Sequence, residues 1–504
     1  MRSVERRLAA TLLVAAAAYG PLLARLPAQI PKVRVAVDAN ERHQTIDGFG
    51  AGHQPVLPDN DPAHEQLRHQ ALDAVYGQVE LTVGNLEGAL VESSPDWHPQ
   101  NDNDDPFQIN LLGFQTSRAD AMRTTIIDRP EAAGFDGYYP AQRINIRWAS
   151  PWLGDIRRTN YKRYLDEAAE QVVAGERYWR DALGRVPQYN MLFNEPLSGN
   201  SELAEGTEDE VVDLVKRIGA RLKREGFPVK FVVPNEETEE QSLSTARAIL
   251  ADKEARAYVG VIGYHAYPHG SPYASIPTIL RQSALGRPDR DRVAIRKELR
   301  DLGRKYRVPV WMTEISQGNV DPLSFDAMRG RAVHIHDELV YADASAYFGM
   351  NSVMDDVSVQ GHTMGGGSFP SYEGDVVVID TKRRTVQITG MGYAIGHYAR
   401  WLKRGAARVG ASTTDRLTQV SAFRDDVRNR VTIVLINNES TEASVDIDVK
   451  AVTFSEPVTG EQSASGRYWM PIPNVTRVSP GTLSLTVPAE SVTTLAIPIT
   501  VLRN

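Results

Sequence analysis

The sequence contains no cysteine. That absence excludes disulfides, thiolate metal ligands, a cysteine nucleophile and a lipidated N-terminal cysteine. It leaves the compartment open, because a large core holds together without cross-links even in an oxidising space. Basic clusters are scarce as well: beyond the N-terminus there is no dense Lys/Arg run, and 56 Lys and Arg against 64 Asp and Glu give a formal net charge of −8. Such a chain lacks the electrostatic footprint of a nucleic-acid binder and suits an uncharged partner. Long apolar runs are missing too, apart from residues 8–19, which follow a basic head of Arg2, Arg6 and Arg7. A run of about a dozen residues is short of the ~20 a membrane span needs, and Arg25 interrupts any extension. Residues 1–28 read as a secretory signal cleaved near Ala28, although Leu26 stands where a smaller residue is preferred. The alternative is an uncleaved N-terminal anchor. The expectation is a secreted or periplasmic protein with no stable membrane insertion after cleavage.

What is present is ordinary globular material: 504 residues, 42% hydrophobic and 24% charged, enough for a large barrel and a smaller domain. Two stretches share one form. Tyr189-Asn190-Met191-Leu192-Phe193-Asn194-Glu195-Pro196 is an apolar run that stops at an Asn-Glu pair, and Pro196 blocks further ladder pairing. Val308-Pro309-Val310-Trp311-Met312-Thr313-Glu314 likewise delivers a glutamate. In a parallel α/β barrel every strand's C-terminal end opens on one face, so both glutamates can reach one pocket. Two carboxylates facing across a sugar are the equipment for breaking a glycosidic bond. The plain alternative is that each is a buried or paired strand-end acid.

Taken in order, Val33 to Asp38 alternates as a half-exposed strand and leads into Gln44-Thr45-Ile46-Asp47-Gly48-Phe49-Gly50-Ala51. That opening resembles glycoside hydrolase family 30. Further strands are predicted at Val79 to Val83, Arg143 to Trp152, Lys230 to Pro234, Val259 to Pro268 and Ala344 to Met350. The Ala149-Ser150-Pro151-Trp152 ending, the Asn194-Glu195-Pro196 run, the His265-Ala266-Tyr267 strand end and the Thr313-Glu314 end are all similar to that family. So are Val434 to Asn438 and Ser491 to Ile497, in a region of short alternating strands with Gly, Pro and Asn turns that itself reads as a β-sandwich. The resemblance covers roughly residues 33–498. It implies a (β/α)8 TIM barrel with an attached antiparallel β-sandwich. The chain then divides into a signal at 1–28, a strand joining the side domain at 29–46, the barrel at 47–392 and the sandwich at 393–504.

The resemblance also implies roles. Glu314 becomes the nucleophile and Glu195 the acid/base of a retaining enzyme, Asn194 a contact to the sugar 2-hydroxyl, His265 and Tyr267 neighbours of the nucleophile, and Trp152 a stacking wall of the sugar subsite. The expected partner is a neutral carbohydrate, with no cofactor and no metal; the rival is a catalytically silent carbohydrate-binding protein on the same scaffold. The chain departs from the family's pattern where Glu80 and Glu87 stand near strand two, where Phe193 replaces a common polar residue, and where strand eight lacks a tryptophan. Arg147 is a candidate for a missing positive charge or for an ion pair. The polar loop 93–110, with Asp102, Asp104 and Asp105, reads as a solvated active-site loop rather than a calcium site, since no EF-type pattern is present. Glu236 and Glu237 read as decoys for a third catalytic acid. His334-Ile335-His336-Asp337 is the best candidate for a metal cluster, predicted to lie on a helix surface.

Overall fold

The computed structural model describes residues 30–53, 62–86, 100–114, 120, 128, 137–141, 143–147, 150–198, 202–267, 290–316, 321–355, 375–455, 457–473 and 475–501. The predicted signal at 1–28, Glu87, Trp148 and Ala149 lie outside them. No helix among the described residues is long and apolar enough to cross a membrane.

Strand β1 (Lys32–Thr45) precedes eight parallel strands: β2 (Gly48–His53), β3 (Val83–Leu86), β4 (Tyr138–Pro140), β5 (Tyr189–Met191), β6 (Lys230–Pro234), β7 (Val259–His265), β8 (Val310–Glu314) and β9 (Ala344–Asp355). Their ladder runs β4-β3-β2-β9-β8-β7-β6-β5. Between the two ends of that ladder the Ile144 N–H donates to the Leu192 carbonyl at 2.9 Å, which ties the third strand's continuation to the fourth. Inward-facing Val83, Tyr139, Met191, Val232, Val261, Trp311 and Phe348 fill the interior, so the barrel is a packed core and not a pore. The close spacing of β2 and β3 depends on Gly50, where a Cβ would sit 1.9 Å from the Val83 carbonyl oxygen. A hairpin, β10 (Asp375–Asp380) and β11 (Thr385–Ile388), extends β9.

The second sheet contains β1 with β12 (Ala407–Thr413), β13 (Thr418–Asp425), β14 (Arg430–Asn437), β15 (Ala443–Lys450), β16 (Val452–Phe454), β17 (Thr459–Ala464), β18 (Arg467–Pro471), β19 (Thr476–Ser479), β20 (Thr482–Val487) and β21 (Ser491–Val501). It is mostly antiparallel, the exception being β1, which pairs antiparallel to β12 and parallel to β15. Val33, Val35 and Val37 alternate into its core. The helix Gly390–Ala399 joins the two units: both nitrogens of buried His397 meet sandwich hydroxyls, Thr494 at 3.0 Å and Ser463 at 2.7 Å. Tyr393 stacks on Tyr468 at 3.8 Å between centroids.

Two predicted strands are displaced. Residues predicted to begin strand two instead continue a helix, which winds through Asp73–Val79 and is closed by Glu80 at φ 58°; the ladder starts only at Val83. Glu80 thereby sits before the strand, away from the mouth, where it pairs with Lys403 at 2.7 Å. The third strand lies upstream of the predicted Arg143–Trp152: Pro140 ends its ladder, and Pro151, tolerated in a first helical turn, opens the helix Pro151–Thr159. The helix Glu208–Arg224 forms as its capping pattern predicts, with the Thr207 hydroxyl accepting from the Glu210 N–H at 3.2 Å.

Candidate active site

Glu195 and Glu314 both stand at the C-terminal mouth, following β5 and ending β8. Their side chains keep 20% and 15% of their surface exposed, enough to meet a ligand. Strand periodicity turns Tyr264 outward to the helices and His265 inward. His265, fully buried, places Nδ1 3.0 Å from a Glu195 oxygen and 3.7 Å from a Glu314 oxygen. These three ligand-capable atoms all lie within 4.8 Å of one another. The set has the donor chemistry to hold a divalent cation as well as to work as bare carboxylates.

Tyr267 donates its hydroxyl to Glu314 Oε1 at 2.9 Å, while the Ser316 N–H donates to the same phenol oxygen at 3.2 Å. Burial, then the Glu314 charge, pushes the Tyr267 phenol well above its ordinary range. It therefore stays protonated and directs a fixed donor at Glu314. Thr313 donates to Asn235 Oδ1 at 2.8 Å, and the Glu195 N–H donates to the Asn235 carbonyl at 2.7 Å. Asn235 adopts the left-handed conformation at φ 57°, which asparagine tolerates, and Glu195 is left-handed too at φ 49°. Such a conformation costs a glutamate about 1–3 kcal/mol. Gly263 makes room for this hub: a Cβ there would lie 2.2 Å from Asn235 Oδ1.

Glu236, set aside in the sequence as a decoy, is fully buried behind the Glu195 turn. Its carboxylate accepts from the Leu197 N–H and the Thr245 hydroxyl, both at 3.1 Å, and its carbonyl accepts the His265 N–H at 3.1 Å. Burial pushes its carboxyl up to about 7, with the Glu195 charge acting in the same direction. Glu202 was missed altogether. It is buried, accepts from Asn145 Nδ2 at 3.0 Å and from the Asn194 N–H at 3.3 Å, and pairs with Arg143 at 3.3 Å. The polar pair Arg143 and Asn145 beside apolar Ile144 and Ile146 was the signal that an acceptor had to arrive from elsewhere.

Asn194 lies beside Glu195, partly buried, and its Oδ1 makes no hydrogen bond within the chain. Trp152 is the second residue of its helix and packs, partly buried, against the main core. Arg147 is exposed, and its N–H donates to the Glu202 carbonyl at 3.0 Å. The described part of the polar loop, residues 100–110, packs on the outer helices through Arg163–Asp104 at 3.0 Å and Arg221 on Phe107, and residues 93–99 lie outside the described residues. His334 and His336 are buried, contrary to the predicted surface placement. His334 Nδ1 meets the Tyr347 hydroxyl at 2.9 Å and its Nε2 meets Glu338 at 3.1 Å, so the histidine serves a buried polar network.

No protein-family model matches the chain, and no curated protein sequence does. Solved structures do. A GH30 endoxylanase from Clostridium papyrosolvens C71 is 18% identical with a TM-score of 0.64, over 92% of this chain and all (100%) of that one. The catalytic domain of GH30 xylanase C from Talaromyces cellulolyticus is 16% identical with a TM-score of 0.65, over 92% of this chain and 99% of that one. An endo-β-1,6-glucanase is 17% identical with a TM-score of 0.59, over 92% and 94%. Across nearly its whole length, the chain has the fold of the family 30 glycoside hydrolases, a TIM barrel carrying a side β-sandwich.

Proposed function

We propose that this protein is a retaining glycoside hydrolase acting on β-linked neutral oligo- or polysaccharide or glycoconjugate. The observation that carries the reading is the approach of Glu195 and Glu314, whose oxygens lie within 4.8 Å of each other at one barrel mouth. Retaining enzymes hold their carboxyl groups ~5–5.5 Å apart, whereas inverting enzymes leave ~6.5–9.5 Å for a water. The structural neighbours that are xylanases and a glucanase support the same reaction class.

In the first step Glu314 attacks the anomeric carbon, the bond to the departing oxygen breaks, and Glu195 gives that oxygen its proton. In the second, Glu195 takes a proton from water, which attacks the glycosyl-Glu314 ester and returns the nucleophile. The Tyr267 hydroxyl orients Glu314, and His265 Nδ1 spans the two carboxylates. Asn194 Oδ1 accepts from the sugar 2-hydroxyl, a contact that strengthens as positive charge builds on the ring. Trp152 is proposed as the indole that borders the sugar. The apolar segment after Arg2, Arg6 and Arg7 supports export to the periplasm or beyond; mass spectrometry of the mature N-terminus tests that step.

The deciding experiment is hydrolysis of aryl β-glycosides and of β-glucan, xylan and galactan, with NMR observation of the first-formed anomer and with E195Q and E314Q as controls. Net retention, lost in both variants, is the expected result. A product of inverted configuration, or undiminished turnover in either variant, overturns the reading. Oligosaccharide binding with no turnover in the wild type selects the silent binding protein instead. The Glu195–His265–Glu314 set also fits a cation, and a metal-dependent hydrolase would lose activity in chelator, whereas this mechanism keeps it.

A further inference from the structure

Of the connection between β3 and β4, the structure describes residues 100–114, 120, 128 and 137. The first of these segments lies on one face of the helix Tyr161–Leu183. Arg163, at the helix start, holds Asp104 at 3.0 Å and Glu167 at 2.8 Å. Further along, Phe114 packs on Ala174, with Ile109 and Tyr178 beside them. Between these anchors come Glu167, Glu170 and Gln171, an i, i+3, i+4 set on one helix face. Both glutamates are fully buried and Gln171 is nearly so. Glu167 Oε2, both Glu170 oxygens, Gln171 Oε1 and Asn101 Oδ1 make no hydrogen bond. The Glu167 carboxyl lies beside Asn101 and Glu170, and Glu170 faces the charges of Asp102 and Glu167, so these groups form one cluster.

Burying a carboxylate without a donor or a counter-charge is costly. Arg221 also faces Glu170, but its guanidinium already donates to the Pro106 and Asp166 carbonyls and pairs with Glu225 at 3.1 Å. Acceptor-only oxygens from carboxylates and amides are the ligand set of a hard cation with six to eight flexible positions, which describes calcium better than magnesium. We propose that Asn101, Asp102, Glu167, Glu170 and Gln171 form a calcium site that fastens the β3–β4 connection to the barrel's outer wall. Among the described residues the His/carboxylate trio with atoms within 4.8 Å is Glu195–His265–Glu314; Asp102, Glu167 and Glu170 are not such a trio, so their side chains must turn towards the ion on binding.

The test uses the full chain stripped with chelator and then titrated with calcium, read by thermal unfolding and by calorimetry. Calcium should raise Tm by several degrees and bind one ion per chain at this site, with magnesium weaker. E170Q should abolish the response and Asn101→Ala should weaken affinity at least tenfold, while E195Q keeps it. No heat and no Tm change at millimolar calcium overturns the proposal. So does a response that survives in E170Q but vanishes in E195Q, which moves the ion to the mouth. If E170Q is more stable than the wild type and calcium does nothing to either, a shared proton between Glu167 and Glu170 replaces the metal. Because the wild-type titration decides by itself, a variant that fails to fold does not rescue the idea.

Discussion

Glu239 and Glu338 lie behind β7, Glu195 and Glu314 lie in front of it, and the two pairs are held in opposite ways. Behind the strand, Arg292 pairs with Glu239 at 2.8 Å and reaches the Ala266 carbonyl at 2.6 Å, while Arg296 pairs with Glu338 at 2.5 Å and with Glu239 at 3.4 Å. Tyr264 adds a hydrogen bond to Glu338, and His334 Nε2 lies 3.1 Å from its carboxylate. Burial raises the Glu338 carboxyl, but the Arg296 charge together with His334 and the Tyr264 hydroxyl outweighs it and holds the group far below its ordinary range. In front of the strand an imidazole and a phenol meet the two glutamates, His265 on Glu195 and Tyr267 on Glu314. Charges that are matched by guanidinium on the outer side fix the strand, and charges given weaker partners on the inner side stay available to a substrate. Alternation along one strand, Tyr264 out and His265 in, separates the two tasks.

The contrast breaks most visibly at the mouth. E314Q should lower kcat/KM by more than about 10⁴-fold and E195Q by about 10²–10⁴-fold, with unfolding midpoints near wild type. Steady-state kinetics beside urea unfolding checks both. Arg296→Met should do the reverse: about 3–5 kcal/mol of stability lost through the unmatched Glu338, with turnover per folded molecule nearly kept. Tyr267→Phe, which removes one donor to Glu314, should lower kcat about tenfold and leave KM almost unchanged.

A pH measurement sharpens the same comparison on a fifth carboxyl. Glu176, fully buried against Asn190, is pushed up to about 8 by burial. Its folded value lies above its unfolded value of ~4.5, so the native state keeps a proton that the unfolded chain releases. Its contribution is therefore lost as pH rises from about 4.5 towards 8 and is constant beyond. Glu176→Gln should flatten that part of the stability curve, by a few kcal/mol at most, as read from urea unfolding at several pH values.

Much of the mouth was legible because each of its groups ends an apolar run: Leu192-Phe193 before Asn194-Glu195, Trp311-Met312 before Thr313-Glu314, Ile262 before His265. The residues that hold those groups were not. Glu202 and Asn235 act on partners 57 and 78 residues away, through Asn145 and Thr313, and no local spacing announces such a pairing. Strand two was misplaced because Val79 and Leu81 are apolar for helix packing and core burial while the ladder forms further on. His334 and His336 look like a surface motif in a charged helix, yet that helix is buried on nearly all sides.

Strand β1 has a consequence for how the chain is made. β1 finds its ladder partners only at Ala407–Thr413 and Ala443–Lys450, so during synthesis from the N-terminus it must wait while the entire barrel is translated. The barrel is thus an insert within the sandwich, and a waiting, alternating strand is an exposed template for neighbouring nascent chains. Truncation after the barrel should leave that edge permanently open, so the catalytic half should not be obtainable as a soluble fragment unless β1 is removed with it.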